Sequence, residues 1–206
     1  MKIAIIGTGN VGSALARNWV TQGHEIQLGV RDTGGFKGQE LREHPRISVH
    51  PPREAVQAAE VVLFAIPAPA MAGITRDLGD LAGKVLIDAT NAIVQGPDPY
   101  PTGYHALVDA APGVQVVKCF NSTGFENMIN PVYDGEGIDM FMAGASAEAK
   151  SVAQQLARDA GFGACWDFGG EERVELLEKF ALSWINLAIF QKHGRGIAFK
   201  VLQRDQ

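Results

Sequence analysis

The sequence predicts an α/β protein of the Rossmann type, a doubly wound and mainly parallel sheet with a short C-terminal helical extension. Three observations lead there. Short apolar runs alternate with segments of helical periodicity, the order that a parallel sheet with crossover helices requires. The first run ends in Gly7-Thr8-Gly9-Asn10-Val11-Gly12, a GxGxxG set between a strand and a helix. The 206 residues, 46% hydrophobic and 20% charged, have the composition of a globular domain with an adequate core.

Each element has a local reason. Residues 2–6 are a short apolar run ending in glycine and read as a buried parallel strand. Residues 10–22 read as a helix, with Val11, Leu15, Trp19 and Val20 on one face and Gly23 ending it. Residues 25–30 form the second strand and 46–49 a short third. Pro51-Pro52 opens a helix through 59, as proline in a first turn permits. Strands follow at 60–66 and 85–87, the latter leading into the turn Asp88-Ala89-Thr90-Asn91. The proline-rich stretch 95–102 is a loop. Residues 105–111 read as helix, 115–118 and 139–143 as strands, 147–160 as a helix closed by Gly161, and 165–168 as the last strand. A long helix spans 171–193 and stops at Gly194. Residues 1–170 are thus the dinucleotide-binding domain and 171–206 the extension.

Composition excludes some classes. A formal net charge of -5 offers no basic face to displace counterions from nucleic acid. A local set of backbone N–H groups and one arginine can still hold an anionic cofactor. Cys119 and Cys165 form no CxxC and no metal spacing, so two reduced, buried thiols in a cytoplasmic protein are expected. The apolar start stops at Gly7, too soon for a secretory signal. Residues 180–190 contain Ser183 and Asn186 and fall well short of the ~20 residues that span a bilayer, so no membrane partner is expected. His24, His44, His50, His105 and His193 are scattered and read as surface residues. There is no HExxH or GxSxG, and no metal site or catalytic set is predicted. Lys118, at a strand end, has two readings: an acid or anion anchor, or a lysine that bonds a neighbouring loop.

The glycine motif carries the chemistry. Gly7 allows the tight turn, Gly9 lets a pyrophosphate approach the backbone, and Gly12 lets the helix pack close to the strand. The unsatisfied N–H groups of the first helical turn then face the anion. Cofactor choice rests on the end of the second strand, Leu28-Gly29-Val30-Arg31-Asp32. An acidic residue there would bond the ribose hydroxyls of NAD, and a cation would meet the 2′-phosphate of NADP. Both readings fit the spacing. Arg31 and the following Lys37 favour NADP, because a guanidinium can stack on adenine and bond phosphate together. Asp32 then braces Arg31 or caps the turn.

Several phrases also occur in a telling order: Ile5-Ile6-Gly7-Thr8-Gly9-Asn10, Gly29-Val30-Arg31, Ala65-Ile66-Pro67, Ile87-Asp88-Ala89-Thr90-Asn91 and Val117-Lys118-Cys119-Phe120-Asn121. Glu126-Asn127-Met128 and Ala198-Phe199-Lys200-Val201-Leu202 complete the set. Together they resemble the NADPH-dependent reductases of coenzyme F-420, a 5-deazaflavin, and their bacterial relatives. The resemblance implies hydride transfer between NADPH and a deazaflavin or related flavin. By position it implies that Thr8 to Val11 hold the pyrophosphate and that Val30 and Arg31 take the 2′-phosphate end. Ile66 and Pro67 would line the groove, and Asn91 with Asn121, Ser122 and Thr123 would flank the nicotinamide. The chain departs from the pattern at Val30, where a serine is common, at Ala68, where tryptophan is common, and at Ala92, where proline is common.

Hydride transfer between two cofactors needs orientation and exclusion of water more than a protein catalyst. Two alternatives stand beside it: a reductase of a small carbonyl, imine, ferric or flavin acceptor, and an NADP-binding redox-sensing module. In the C-terminal helix, apolar residues from Phe180 to Phe190 lie nearly all round, more than one face can bury. A homodimer contact, with one helix edge closing the site of a small-molecule acceptor, is expected.

Overall fold

The computed structural model describes residues 1–110 and 113–204. Among the described residues, ten strands and seven α-helices follow in the order β1 (Lys2–Ile6), α1 (Asn10–Thr21), β2 (Glu25–Gly29), β3 (Ile47–His50), α2 (Pro52–Gln57), β4 (Val61–Phe64), α3 (Met71–Asp77), β5 (Val85–Asp88), α4 (Gly103–Ala110), β6 (Gln115–Cys119), α5 (Phe125–Ile129), β7 (Val132–Tyr133), β8 (Glu136–Gly137), β9 (Met140–Ala143), α6 (Ala147–Asp159), β10 (Cys165–Asp167) and α7 (Val174–Ile185). The main sheet runs β10-β9-β6-β5-β4-β1-β2-β3. From β3 to β6 all neighbours are parallel, in the order 3-2-1-4-5-6 of a doubly wound dinucleotide fold. β9 pairs antiparallel with β6, and β10 parallel with β9, so the last two strands run against the other six.

Alternation along the strands feeds two cores. Ile3, Ile5, Leu28, Leu63 and Ile87 face α1 and α6, where Leu15, Trp19, Ala153 and Leu156 meet them. Ala4, Ile6, Val62, Phe64 and Leu86 face the other layer, built from α2, α3, α4 and α7. Both faces of the parallel strands are covered, as their continuous apolar sequences require.

The elements differ from expectation in several places. The predicted helix 171–193 is three pieces: a 3-10 turn at Glu171–Arg173, then α7, then a π turn at Asn186–Phe190. Lys192 and Gly194, both left-handed with φ 61° and 86°, carry the chain away before His193 can extend it. The helix expected at 105–111 starts two residues earlier, and its last position lies outside the described residues, as do 205 and 206 of the extension. α3, α5 and the β7–β8 hairpin were not expected. The hairpin turns on Asp134-Gly135, whose φ values of 50° and 85° are those of a tight two-residue turn. His24 is buried and not on the surface: its Nε2 meets Asp159 Oδ2 at 2.9 Å and its Nδ1 meets the Met1 amine at 3.3 Å.

The apolar residues of α7 and the π turn are divided between the interior and the surface. Val174, Leu177, Ala181 and Trp184 are buried inside the chain, and Phe180 packs among Phe141, Phe168 and Phe199. Leu176, Leu182, Ile189 and Phe190 stay exposed. No helix of the described residues is long and apolar enough to cross a membrane.

Candidate dinucleotide site

The site is assembled at the C-terminal ends of the parallel strands, where the strand order reverses between β1 and β4. Its centre is the β1–α1 turn. Gly7 has φ 101°, and a Cβ there would lie 2.4 Å from the Ala65 carbonyl oxygen, in the turn after β4. A Cβ on Gly12 would lie 2.0 Å from the Gly7 carbonyl oxygen, so α1 reaches the turn only because that position is bare. Gly9 differs: a Cβ there meets nothing within 4 Å. The turn is therefore tight at its two ends and open in the middle.

α1 begins at Asn10, capped by the backbone of Gly9 without any side-chain hydrogen bond and with no acidic residue in its first turn. The first intrahelical bond is Ser13 N–H to Gly9 carbonyl, which leaves the amides of Asn10, Val11 and Gly12 ahead of it. Their dipoles and the helix end favour an anion above Gly9. The Ser13 hydroxyl donates to the Thr8 carbonyl at 2.9 Å and fixes the turn from below.

At the end of β2, Val30 is buried and its N–H donates to His50 carbonyl, so it offers the cleft no hydroxyl. Arg31 and Lys37 are exposed at either end of the next loop. Asp32 Oδ1 accepts the Gly34 N–H at 2.9 Å, the turn-capping role that sequence allowed it. A Cβ on Gly38, which has φ 83°, would lie 2.6 Å from Ser13 Oγ, so this loop rests directly on the glycine turn. Across the cleft, Ile66 lies beside Gly7, Pro67 is exposed, and Ala68 is buried at the start of the short 3-10 turn Ala68–Ala70.

The far end is formed by the turns after β5 and β6. Asn91 and Asn121 exchange hydrogen bonds: Asn91 Nδ2 donates to Asn121 carbonyl and Asn121 Nδ2 to Asn91 Oδ1, both at 3.0 Å. Asn121 is 4% exposed, and its Oδ1 has no hydrogen-bond partner. The preceding Phe120 is fully buried in the left-handed region at φ 61°, a costly conformation for a non-glycine residue and one typical of functional turns. Ser122 is buried with its hydroxyl against Met140 Sδ, and Thr123 Oγ1 accepts from Asn127 Nδ2 at 2.8 Å. The same Asn127 amide donates to Ile197 carbonyl, which also takes Trp184 Nε1–H at 2.6 Å. The segment after α7 thus ties down the turn that carries Asn121. Arg195 within it stands over the rings of Phe125 and Trp184 and pairs with Glu126 at 2.5 Å. Burial alone would raise the Glu126 carboxyl, and the Arg195 guanidinium outweighs it and holds that group below the usual range.

Lys118 resolves in favour of the structural reading. It is fully buried, and Nζ donates to Asp88 Oδ2 at 2.9 Å, Thr90 carbonyl at 2.6 Å and Glu178 Oε1 at 2.5 Å. An ammonium has three N–H donors, and these contacts engage all of them. It has none left for a substrate anion. Glu178 Oε2 accepts the Ala92 N–H at 2.8 Å. Proline at that position would have no N–H to give, so the departure at Ala92 is what lets α7 hold this turn. Sequence reading missed Glu178 and Asp88, which sit 86 and 30 residues from their partners. Cys119 and Cys165 are free and buried, with Sγ atoms 4.0 Å apart, and burial pushes the Cys119 thiol well above its ordinary range. Among the described residues no three His, Cys, Asp or Glu side chains gather as metal ligands.

Fold and turn geometry together define a Rossmann-type dinucleotide-binding protein. Residues 2–92 match the family model described as NADP oxidoreductase, coenzyme F420-dependent. A solved structure from Arthrobacter sp. FB24, named as a candidate F420-dependent NADP-reductase, is 26% identical with a TM-score of 0.83. The superposition covers 98% of this chain and 100% of that one. A glycerol-3-phosphate dehydrogenase [NAD(P)+] of Thermoanaerobacter sp. (strain X514) is 32% identical over 98 residues, 42% of this chain and 30% of that protein. The chain spans about a third of the length of the curated relatives it matches. A reductive aminase of Aspergillus terreus shares the fold at 18% identity, with a TM-score of 0.68 over 93% of this chain and 62% of that one. The matching family and the curated relatives are NADP- or NAD(P)-dependent oxidoreductases.

Proposed function

We propose that the protein is an NADPH-dependent oxidoreductase that passes a hydride to coenzyme F-420 or a related flavin-like acceptor. The observation that carries the cofactor half is the glycine turn: closed at Gly7 and Gly12, open at Gly9, with helix amides above the opening. A cradle that a side chain would fill, and the unpartnered Asn121 Oδ1 at the other end of the cleft, fit the two polar ends of a dinucleotide. In this reading Thr8, Asn10 and Val11 hold the pyrophosphate, and Arg31 and Lys37 meet the 2′-phosphate. Ile66 and Pro67 line the groove, and Asn91, Asn121 and Thr123 hold the nicotinamide end, with Ser122 shaping their turn. Bound NADPH supplies the hydride. The acceptor half is supported by the resemblance to the Arthrobacter structure over the whole chain. NADP is the cofactor and NAD the weaker ligand. The partners are a small acceptor in the cytoplasm and a second copy of the chain, with neither nucleic acid nor membrane involved.

The test is an acceptor panel that follows NADPH absorbance with the deazaflavin, free flavins, ferric chelates, quinones and small imines. Turnover with the deazaflavin or a flavin is expected. Tight NADPH binding with no turnover against any acceptor would point instead to a redox-sensing module.

The homodimer rests on the exposed Leu182, Ile189 and Phe190, which extend α7 as an apolar strip. Trp184, in the same stretch, is buried against the Gly124 turn and takes no part in this strip. Phe190→Asp is expected to convert a dimer to a folded monomer by light scattering. A wild-type monomer at micromolar concentration would contradict the contact.

A further inference from the structure

The loop that opens at Arg31 receives a second guanidinium from outside it. Arg42 lies on the 3-10 turn Gln39–Glu43, and its Nη2 donates to the Thr33 carbonyl at 2.6 Å. Its guanidinium carbon sits 5.3 Å from the centre of the Phe36 ring. Phe36 in turn is partly buried against the core cluster that includes Leu15 and Leu41. The guanidinium is therefore held against the carbonyl of Thr33, two residues after Arg31, in the loop whose Gly38 rests on Thr8 and Ser13.

The charges around it are arranged to leave it available. Asp32 Oδ1 is occupied by the Gly34 N–H. Glu40, on the same turn as Arg42, is drawn the other way into an ion pair with Arg17 of α1. Among the described residues Arg42 makes no carboxylate ion pair. A guanidinium carries five N–H donors in a planar fork, and a single one is engaged, by Thr33. The remaining fork matches the oxygens of a phosphate monoester. Val30 is buried and carries no hydroxyl, so contacts to a 2′-phosphate at this strand end fall to the exposed cations Arg31, Lys37 and Arg42.

We propose that Arg42 is a specificity-determining residue: with Arg31 it binds the 2′-phosphate of the adenosine end and so separates NADPH from NADH. This rests on the dinucleotide reading above. Its ligand class is a 2′-phosphorylated adenosine, and 2′,5′-adenosine bisphosphate is the minimal probe.

The experiment is calorimetric titration of the wild type, Arg31→Ala, Arg42→Ala and Arg42→Lys with NADPH, NADH, 2′,5′-adenosine bisphosphate and 5′-AMP. Arg42 is exposed, so the variants should fold, which a thermal melt checks. Arg42→Ala is expected to weaken NADPH and the bisphosphate about tenfold or more, leaving NADH and 5′-AMP within about twofold. Arg42→Lys should recover part of the loss, since it keeps the charge and loses the fork. Equal weakening of NADPH and NADH would show that Arg42 only braces the loop, and would overturn the inference. So would an unchanged preference in Arg42→Ala while Arg31→Ala abolishes it, a result that leaves the dinucleotide reading standing. A wild type that binds neither dinucleotide, or prefers NADH, overturns that reading and this inference together.

Discussion

Replacing Lys118 with methionine is expected to cost about 3–5 kcal/mol of stability, because it leaves two carboxylates in the interior without their cation. The side chains of Lys118 and Asp88 are fully buried and that of Glu178 is 10% exposed. Two formal negative charges face one positive charge, and the remaining acceptor positions are filled by the N–H groups of Thr90 and Ala92. Such a cluster gives little net stability over an apolar core, but it is severe to break from one side. Removing all charges together, as Asp88→Asn, Lys118→Met and Glu178→Gln, should recover much of the loss. Urea unfolding of the single and triple variants measures both. The cluster also joins α7 to the turn carrying Asn91. Lys118→Met should therefore weaken the hold of the C-terminal segment on that turn, as faster amide exchange at Ala92 and along α7. A Lys118→Met protein as stable as the wild type would mean that the buried pairs do not form.

Replacing Gly9 with valine is expected to abolish dinucleotide binding and leave the fold in place. The two halves of that statement have different causes. Gly9 has φ −68°, which valine adopts freely, and nothing in the chain lies within 4 Å of its Cβ position. The loss of glycine at the helix cap costs about 1 kcal/mol. A pyrophosphate seated on the amides of Asn10 and Val11 would meet the new methyls at closest approach. Gly7→Ala and Gly12→Ala should behave differently. Their added Cβ atoms run into the Ala65 and Gly7 carbonyl oxygens, so stability falls first. Far-ultraviolet dichroism with calorimetry separates the cases. Gly9→Val binding NADPH like the wild type would remove the pyrophosphate from this turn.

What was legible in the sequence follows from locality. The glycine turn and the sheet strands from β1 to β6 depend on residues close together in the chain, and their positions were readable to within one or two residues. The same holds for α6, where Ser146 accepts the Ala149 N–H and Gly161 closes the end. The β7–β8 hairpin was also local. Its Asp134-Gly135 signal was present between Val132-Tyr133 and Glu136-Gly137 and went unread because the flanking strands are two residues each. α7 was read as too long because apolar periodicity continues to Phe190 while the backbone widens into a π turn. The pieces of the site that sequence could not supply are long-range. Glu178 reaches Lys118 across 60 residues, and Ile197 reaches Asn127 across 70. Arg42, proposed here for the 2′-phosphate, stands 11 residues beyond Arg31 and comes near the loop through its bond to Thr33. The same is true of the burial of His24, which depends on Asp159 in α6.

The most direct measurement is titration of the wild-type protein with NADPH and, separately, NADH. Saturable binding of one NADPH per chain, at least about tenfold tighter than NADH, is the result that charge-assisted contacts to a 2′-phosphate predict. Absence of saturable binding by either dinucleotide, or a preference for NADH, would contradict the site built on Gly9 and Arg31.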